Sequence, residues 1–174
     1  MLWPPRPVSP RHPLSPIGAP APDPEAVMKS KAEILQSVID VWCKDQDIDA
    51  VLEHLTEDVV WHYSAITQPP KVGHAGAREF LTAYKAKVRN PNWRIFRMAE
   101  AGNALFVEGV DSFDTADGHH VSVPYMGILE FEGERISAWR DYFDRGVADR
   151  GATGEALPDY ALPLLDRKPV LSAS

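Results

Sequence analysis

The stretch that decides the fold runs from residue 104 to residue 143 and reads ALFVEGVDSFDTADGHHVSVPYMGILEFEGERISAWRDYF. Apolar and polar residues alternate along most of it, with the period of two that is typical of half-buried strands. Turn-like triplets at 116–118 (Ala-Asp-Gly) and 132–134 (Glu-Gly-Glu) divide it into three segments, 104–113, 120–131 and 135–143. Strands joined by such short turns usually pair as antiparallel neighbours, so the stretch predicts a β-meander.

Working outward, residues 93–100 alternate in the same way before an Ala-Gly-Asn turn at 101–103, which adds a fourth strand. Upstream, apolar residues recur at helical spacing and predict two helices before a short strand at 59–63, with an acidic turn at 56–58 between them. A third helix is predicted over 73–88 and ends at an Asn-Pro pair. The sequence therefore predicts an α+β fold, in which a strongly curved, mostly antiparallel sheet wraps around about three helices and leaves an internal pocket.

Both ends of the chain differ in composition from this region. Residues 1–27 hold nine of the sixteen prolines and are predicted to be a Pro-rich disordered extension, or a leader upstream of the natural start at Met28. The folded domain is predicted over 28–146. Residues 147–174 are rich in Gly, Pro, Ala and Asp, and we expect a C-terminal tail that lies on the surface or on a partner subunit.

Composition narrows the classes of function. The chain has 25 acidic and 18 basic residues among 174, a balance that argues against a nucleic-acid-binding surface. Its single cysteine, Cys43, lies in the apolar phase of a predicted helix, has no internal partner and is read as a small core residue. No apolar run approaches the length of a membrane span, and the N-terminal residues lack the apolar core of a secretory signal. We therefore expect a cytoplasmic protein that binds no nucleic acid and no membrane.

Two aspartates share the apolar phase of the predicted strands. Asp111 alternates with Val107, Gly109 and other mostly apolar residues, and Asp141 alternates with Trp139 and Phe143. Burying an unpaired charge is costly, so two carboxyls that face one cavity must share protons, hydrogen bonds or a ligand. They are candidates for an acid–base pair. The alternative is that both lie at strand edges and face water.

Several motifs around these aspartates resemble a known family. The run Trp-Arg-Asp-Tyr-Phe-Asp at 139–144, with Met-Gly-Ile-Leu-Glu-Phe at 126–131, Gly-Glu-Arg-Ile at 133–136 and the Pro-Pro pair at 69–70, resembles the limonene-1,2-epoxide hydrolase family of the NTF2-like, or SnoaL-like, superfamily. The resemblance covers roughly residues 30–144. It implies an NTF2-like cone with a deep apolar pocket, a homodimer, and one-step hydrolysis of a small apolar epoxide without a metal or organic cofactor.

The resemblance also implies roles for individual residues. Asp141 corresponds to the general base that takes a proton from the attacking water, and Asp111 to the general acid that protonates the epoxide oxygen. Tyr63 corresponds to the tyrosine that helps to hold the water. The chain departs from the family at two positions, where Gly109 stands in place of an arginine and Ala65 in place of an asparagine.

Further side chains are predicted to bind substrate. Trp61, Trp139 and Phe143 are expected to line the pocket with their rings, although core packing alone would also explain them. Tyr125 shares the cavity phase of its strand and is predicted either to supply a polar contact or to be a core tyrosine bonded to the backbone. Arg97 shares a phase with Trp93 and is a candidate to replace the missing cation, against the alternative that its head group lies in water.

Three functions are compatible with these residues. The first is a hydrolase that adds water to a small apolar epoxide by Asp/Asp acid–base catalysis. The second is a SnoaL-like or ketosteroid-isomerase-like enzyme that moves a proton on carbon, with one carboxyl held neutral to bind an oxyanion. The third is a noncatalytic module that binds a small ligand. The histidines and the cysteine lack metal-site spacing, so no metal is predicted.

Overall fold

The computed structural model describes residues 28–65 and 67–173. The predicted extension at 1–27 lies outside the described residues. Three helices precede the meander: α1 (Lys31–Asp45), α2 (Ile48–Glu53) and α3 (Gly73–Lys85). Ser30 begins α1 with a capping box, in which its side chain accepts from the Glu33 backbone and the Glu33 carboxylate accepts from the Ser30 backbone. No helix within these residues is long and apolar enough to cross a membrane.

Seven strands form one curved, unclosed sheet. They are β1 (Leu55–His62), β2 (Lys71–Val72), β3 (Val88–Ala101), β4 (Ala104–Thr115), β5 (His120–Glu132), β6 (Arg135–Phe143) and β7 (Leu171–Ser172). Their order across the sheet is β2-β1-β6-β5-β4-β3-β7. The predicted antiparallel meander over β3 to β6 is confirmed, and β1 adds to it in parallel with β6. The structure thus confirms the α+β class and a fold consistent with the NTF2-like cone.

The core lies between the concave face of the sheet and the helices. The apolar stripe of α1, including Ile34, Leu35 and Ile39, is fully buried there, as is Leu81 of α3. Because the sheet curves around these helices without closing, the inner faces of β3 to β6 reach both the packed core and the open end of the cone. The site described below lies on these inner faces.

Two element boundaries differ from the sequence predictions. The acidic triplet at 56–58 belongs to β1 rather than to a turn, because a register shift between Leu55 and Val60 accommodates it within the strand. The third helix ends at Lys85, and β3 already begins at Val88. Asn90 (φ 50°) and Pro91 lie within β3 at a second register shift, where a left-handed residue and a missing N–H are both tolerated.

The predicted tail has more regular structure than expected. Helix α4 (Arg145–Ala152) follows β6 directly and is capped by Asp144, whose side chain accepts from the backbone of Gly146. A 3-10 turn, helix α5 (Leu162–Leu165) and β7 follow, and β7 pairs with the edge of β3. These elements could not be predicted because the region has few apolar residues. The buried residue of α4 is Gly151, which packs against Val121 of the sheet and adds nothing to an apolar pattern.

Candidate active site

A cavity of about 820 Å³ opens on the concave side of the sheet, between α1 to α3 and α4. Ten aromatic residues line it, together with aliphatic, polar and charged ones that include Lys71, Lys87 and Arg145. Asp111 and Asp141 both line it, so the structure brings the two predicted carboxyls to one cavity. All the other predicted site residues except Arg97 also line it: Trp61, Tyr63, Tyr125, Trp139 and Phe143.

Asp141 is held by two tryptophans. The indole Nε1 of Trp139 donates to Oδ1 at 2.9 Å, and that of Trp61 donates to Oδ2 at 3.3 Å. Both indoles reach the same carboxyl because Trp61 and Trp139 are direct partners in the parallel β1–β6 pair, with stacked rings whose centroids lie 4.6 Å apart. An indole N–H can only donate, so these two contacts favour the ionised form of Asp141.

Asp111 has a different partner. The Tyr84 hydroxyl, from α3, donates to Oδ2 of Asp111 at 2.9 Å. The Tyr84 ring stacks against Trp42 and Phe80, with centroids 6.0 Å and 5.7 Å away, which fixes the hydroxyl over β4. In the sequence, Tyr84 belongs with Phe80 and Leu81 to the apolar stripe of the third helix, a pattern that predicts packing alone. Its position three residues from Leu81 gave no sign that its hydroxyl would reach a carboxyl on a strand.

Both carboxyls are less acidic than an aspartate in water. Burial raises the pKa of Asp111 to about 6 and the pKa of Asp141 to about 7. Hydrogen bonds oppose this effect and lower both pKa values: Tyr84 donates to Asp111, and the two indoles donate to Asp141. Repulsion by Asp111 also raises the pKa of Asp141. None of the ion pairs formed by residues 28–65 and 67–173 includes either carboxyl. The two groups therefore form a coupled pair without a neutralising cation.

The hydrogen-bond partners indicate which carboxyl holds the proton when the pair has one. The pKa of Asp141 includes repulsion by an ionised Asp111, so it describes the second ionisation of the pair rather than one residue alone. Asp141 has donor-only partners, which stabilise its charge. The Tyr84 hydroxyl can accept as well as donate, so its contact with Asp111 survives protonation of that carboxyl. The hydrogen-bond partners therefore favour the charge on Asp141 and the proton on Asp111, whereas burial and repulsion give Asp141 the higher pKa, about 7 against about 6.

Gly109 has no room for a side chain. A Cβ at this position would lie 2.3 Å from the backbone oxygen of Arg94 and 3.1 Å from the ring of Tyr125. On the other side of that ring, a Cβ at Gly127 would lie 3.3 Å from Tyr125 and 3.4 Å from Oδ1 of Asp141. The Tyr125 ring thus lies between two glycines and takes the space that an arginine at position 109 would need.

The structure corrects the placement of Arg97. A register shift between Ile95 and Arg97 leaves Phe96 as an extra residue in β3 and reverses the alternation that follows it. Arg97 is therefore exposed and does not line the cavity, so it does not replace the missing cation. Ala65 lies in the turn after β1 with φ 38°, and its methyl group offers no hydrogen bond in place of an asparagine.

The comparisons with known proteins agree with this fold. The model of the SnoaL-like domain family matches residues 35–139, which is more than half of the chain. The chain therefore belongs to the SnoaL-like domain family. Sequence comparison with curated proteins gives no significant match.

Solved structures extend the comparison. A hypothetical protein with a ketosteroid isomerase-like fold from Catenulispora acidiphila DSM 44928, in complex with trimethylamine, is 17% identical with a TM-score of 0.63, and the match covers 74% of this chain and 100% of that one. An LEH-like epoxide hydrolase from M. tuberculosis is 23% identical, with a TM-score of 0.58 and coverage of 70% and 87%. A proposed SnoaL-like polyketide cyclase from Shewanella denitrificans OS-217 is 13% identical, with a TM-score of 0.63 and coverage of 71% and 97%. At these identities the likeness shows the fold alone.

Proposed function

We propose that this protein is an acid–base enzyme that moves a proton on a small, largely apolar carbonyl compound. The observation that carries the proposal is a pair of carboxyls with raised pKa values in one cavity. The partners of Asp141 can only donate hydrogen bonds, whereas the Tyr84 hydroxyl beside Asp111 can either donate or accept. A carboxylate and a carboxylic acid side by side supply a base and a hydrogen-bond donor at neutral pH. Asp141 is the base, and Asp111 is the neutral donor.

The two aspartates can carry out the proton transfers of this reaction. Asp141 takes a proton from the carbon next to the carbonyl, and the electron pair of the broken C–H bond moves onto the carbonyl oxygen. While that oxygen carries the negative charge, protonated Asp111 donates a hydrogen bond to it. Asp141 then returns the proton to a different carbon. The net change is an isomerisation that consumes no co-reactant.

Epoxide hydrolysis is the second candidate. Opening an epoxide needs a base for the attacking water and an acid for the ring oxygen, which the same two aspartates can supply. Tyr63 lines the cavity and supports this reading, as does the resemblance at residues 139–144. Gly109 and Ala65 weigh against it, because two polar groups of the resembled family are missing and positioning sets much of the rate of such a step.

One experiment separates these readings. Purified protein is incubated in D₂O with a panel of small cyclic enones, and separately with terpene and aryl epoxides. Deuterium exchange or a shifted double bond, read by NMR, would support proton transfer. Diol formation without exchange would support the hydrolase. If neither occurs, and a bound ligand remains bound after loss of either aspartate, the protein is a noncatalytic binding module.

The rate should depend on pH in a bell shape. The active pair carries one proton, so kcat/KM should rise with pH as the first carboxyl ionises near the pKa of about 6 and fall as the second ionises near the pKa of about 7. Asp111→Asn removes the group that must stay protonated. The variant should lose the fall at high pH and keep the rise at low pH. A wild-type profile that is flat from pH 5 to pH 8, within about twofold, would contradict the assignment.

We also propose that the enzyme is a homodimer. Met126 of β5 and Tyr142 of β6 are register partners on the outer face of the sheet, and they are 53% and 46% exposed. Neighbouring exposed apolar side chains are typical of a protein interface. Sedimentation velocity should show a dimer for the wild type and a monomer for Met126→Glu. A wild-type monomer at micromolar concentration would refute the dimer.

A further inference from the structure

Tyr125 occupies a central place in the candidate active site. It lies in the middle strand of the meander, with Gly109 as its register partner on β4 and Phe143 on β6. The two carboxyls lie in the rows on either side, since Asp111 pairs with Val123 and Asp141 pairs with Gly127. The ring of Tyr125 therefore lies between the row of Asp111 and the row of Asp141.

The hydroxyl of Tyr125 accepts a hydrogen bond within the described structure but does not donate one. The indole Nε1 of Trp93 donates to it, so the phenol oxygen acts as an acceptor there. No hydrogen bond among the described residues uses the Tyr125 hydroxyl as a donor, and the side chain lines the cavity with Asp111 and Asp141. A tyrosine hydroxyl that accepts from one neighbour still has its own proton to donate.

The hydroxyl also remains protonated at any working pH. Burial, and then the charge of Asp141, raises the pKa of Tyr125 well above that of a phenol in water. The phenol is thus a neutral hydrogen-bond donor. Among the described residues, no cationic side chain forms an ion pair with Asp111 or Asp141. A donor of this kind stabilises a charge that develops during the reaction without neutralising Asp141 beforehand.

We infer that Tyr125 is a catalytic residue, which donates a hydrogen bond to the substrate oxygen that gains negative charge. This inference rests on the proposed function and deepens it. Tyr125 and Asp111 are neutral donors, and no ion pair of the described residues includes either carboxyl, so we expect the substrate oxygen that they bind to be neutral before the reaction. The oxygen belongs to a carbonyl, or to an epoxide if the second candidate function holds.

Ligand binding tests the inference without any turnover. The probe is 4-nitrophenol, whose anion has a visible absorbance and carries a negative oxygen on an aromatic ring. Tyr125→Phe keeps the ring between the two glycines and removes only the donor. It should weaken binding of the phenolate about 10-fold, the value of one hydrogen bond of about 1.4 kcal/mol to a charged oxygen. The control Tyr160→Phe, at a side chain that is 85% exposed, should bind as the wild type does.

Turnover provides the second readout. On a substrate that the wild type converts, Tyr125→Phe should lower kcat about 100-fold and change KM by less than about twofold, as expected for a donor used mainly in the transition state. Trp93→Phe removes the indole donor but keeps the phenol proton, so its effect should be much smaller. Urea unfolding of both variants shows whether lost stability contributes.

The outcomes separate this inference from the proposed function. Wild-type binding of 4-nitrophenol by Tyr125→Phe would overturn the inference, and so would equal losses for Tyr125→Phe and Trp93→Phe, which would indicate a structural role. In either case an inactive Asp141→Asn would leave the proposed function standing. Weaker phenolate binding by Tyr125→Phe alone would support the inference even if Asp141→Asn binds and turns over every compound as the wild type does.

Discussion

Replacing Asp141 with asparagine should lower kcat by about 10³-fold, because the amide has no site that takes a proton from carbon or from water. The substitution keeps the size of the side chain. It turns an amide nitrogen toward one of the two indole donors, Trp61 or Trp139, so that one hydrogen bond is lost as well. The measurement is kcat and KM on any substrate that the wild type converts.

A matched control lies three residues further along the chain. Asp144→Asn changes an exposed aspartate that caps α4, and asparagine is an equally good cap, so its kcat should equal that of the wild type. If Asp141→Asn kept more than about a tenth of the wild-type kcat, it would exclude Asp141 as the base, because general-base catalysis is worth about 10²-fold or more.

Asparagine at position 111 has a different consequence in each reaction. In proton transfer on carbon, Asp111 only donates a hydrogen bond, and the amide NH₂ of Asp111→Asn can still donate one. In epoxide hydrolysis, Asp111 must release its proton to the ring oxygen, which an amide cannot do. A loss of about 10-fold for Asp111→Asn would therefore fit proton transfer, whereas a loss as large as that of Asp141→Asn would fit hydrolysis.

Gly109→Ala should be the most destabilising single-methyl change in the sheet, and we expect it to lower the free energy of unfolding by about 3 kcal/mol. The added Cβ would meet the backbone oxygen of Arg94 at 2.3 Å. A backbone oxygen held in a strand cannot turn aside as a side chain can. The register between β3 and β4 would have to change, and urea unfolding measures the cost.

Gly127→Ala is the comparison that isolates this cause. The Cβ there would meet side chains only, with Val107 at 3.0 Å, Tyr125 at 3.3 Å and Asp141 at 3.4 Å. Because side chains can shift by a few tenths of an ångström, its destabilisation should be about 1 kcal/mol. Equal losses for Gly109→Ala and Gly127→Ala would show that crowding around Tyr125, rather than the backbone of β3, decides the cost at position 109.

The central part of the fold could be predicted from the sequence because its signals are local. Each turn of the meander contains a glycine, and Gly102, Gly118 and Gly133 all have positive φ, a conformation that glycine adopts most readily. Alternation between those turns was enough to predict that Asp111 and Asp141 share a face, since side chains reverse at every residue of a strand. Both carboxyls do line the cavity.

The features that the sequence could not reveal depend on contacts between distant segments. The extra residue Phe96 reversed the phase of Arg97. The adjacent apolar residues Ile95 and Phe96 interrupt the alternation there, but that break alone does not show that the strand contains an extra residue. Tyr84 reaches Asp111 only because α3 docks across the sheet at a particular angle. The tail forms α4 and β7 through packing on other elements rather than through a strong apolar pattern of its own.

The parallel pairing of β1 with β6 also bears on the order in which the chain can fold. Trp61 and Trp139 are far apart in sequence, and bringing them together closes a long loop, which is a slow step compared with forming a hairpin. A folding intermediate with only the meander would hold Asp141 by the indole of Trp139 alone. The second indole arrives only when β1 docks, so the chain acquires its complete set of hydrogen bonds to Asp141 after that long-range contact has formed.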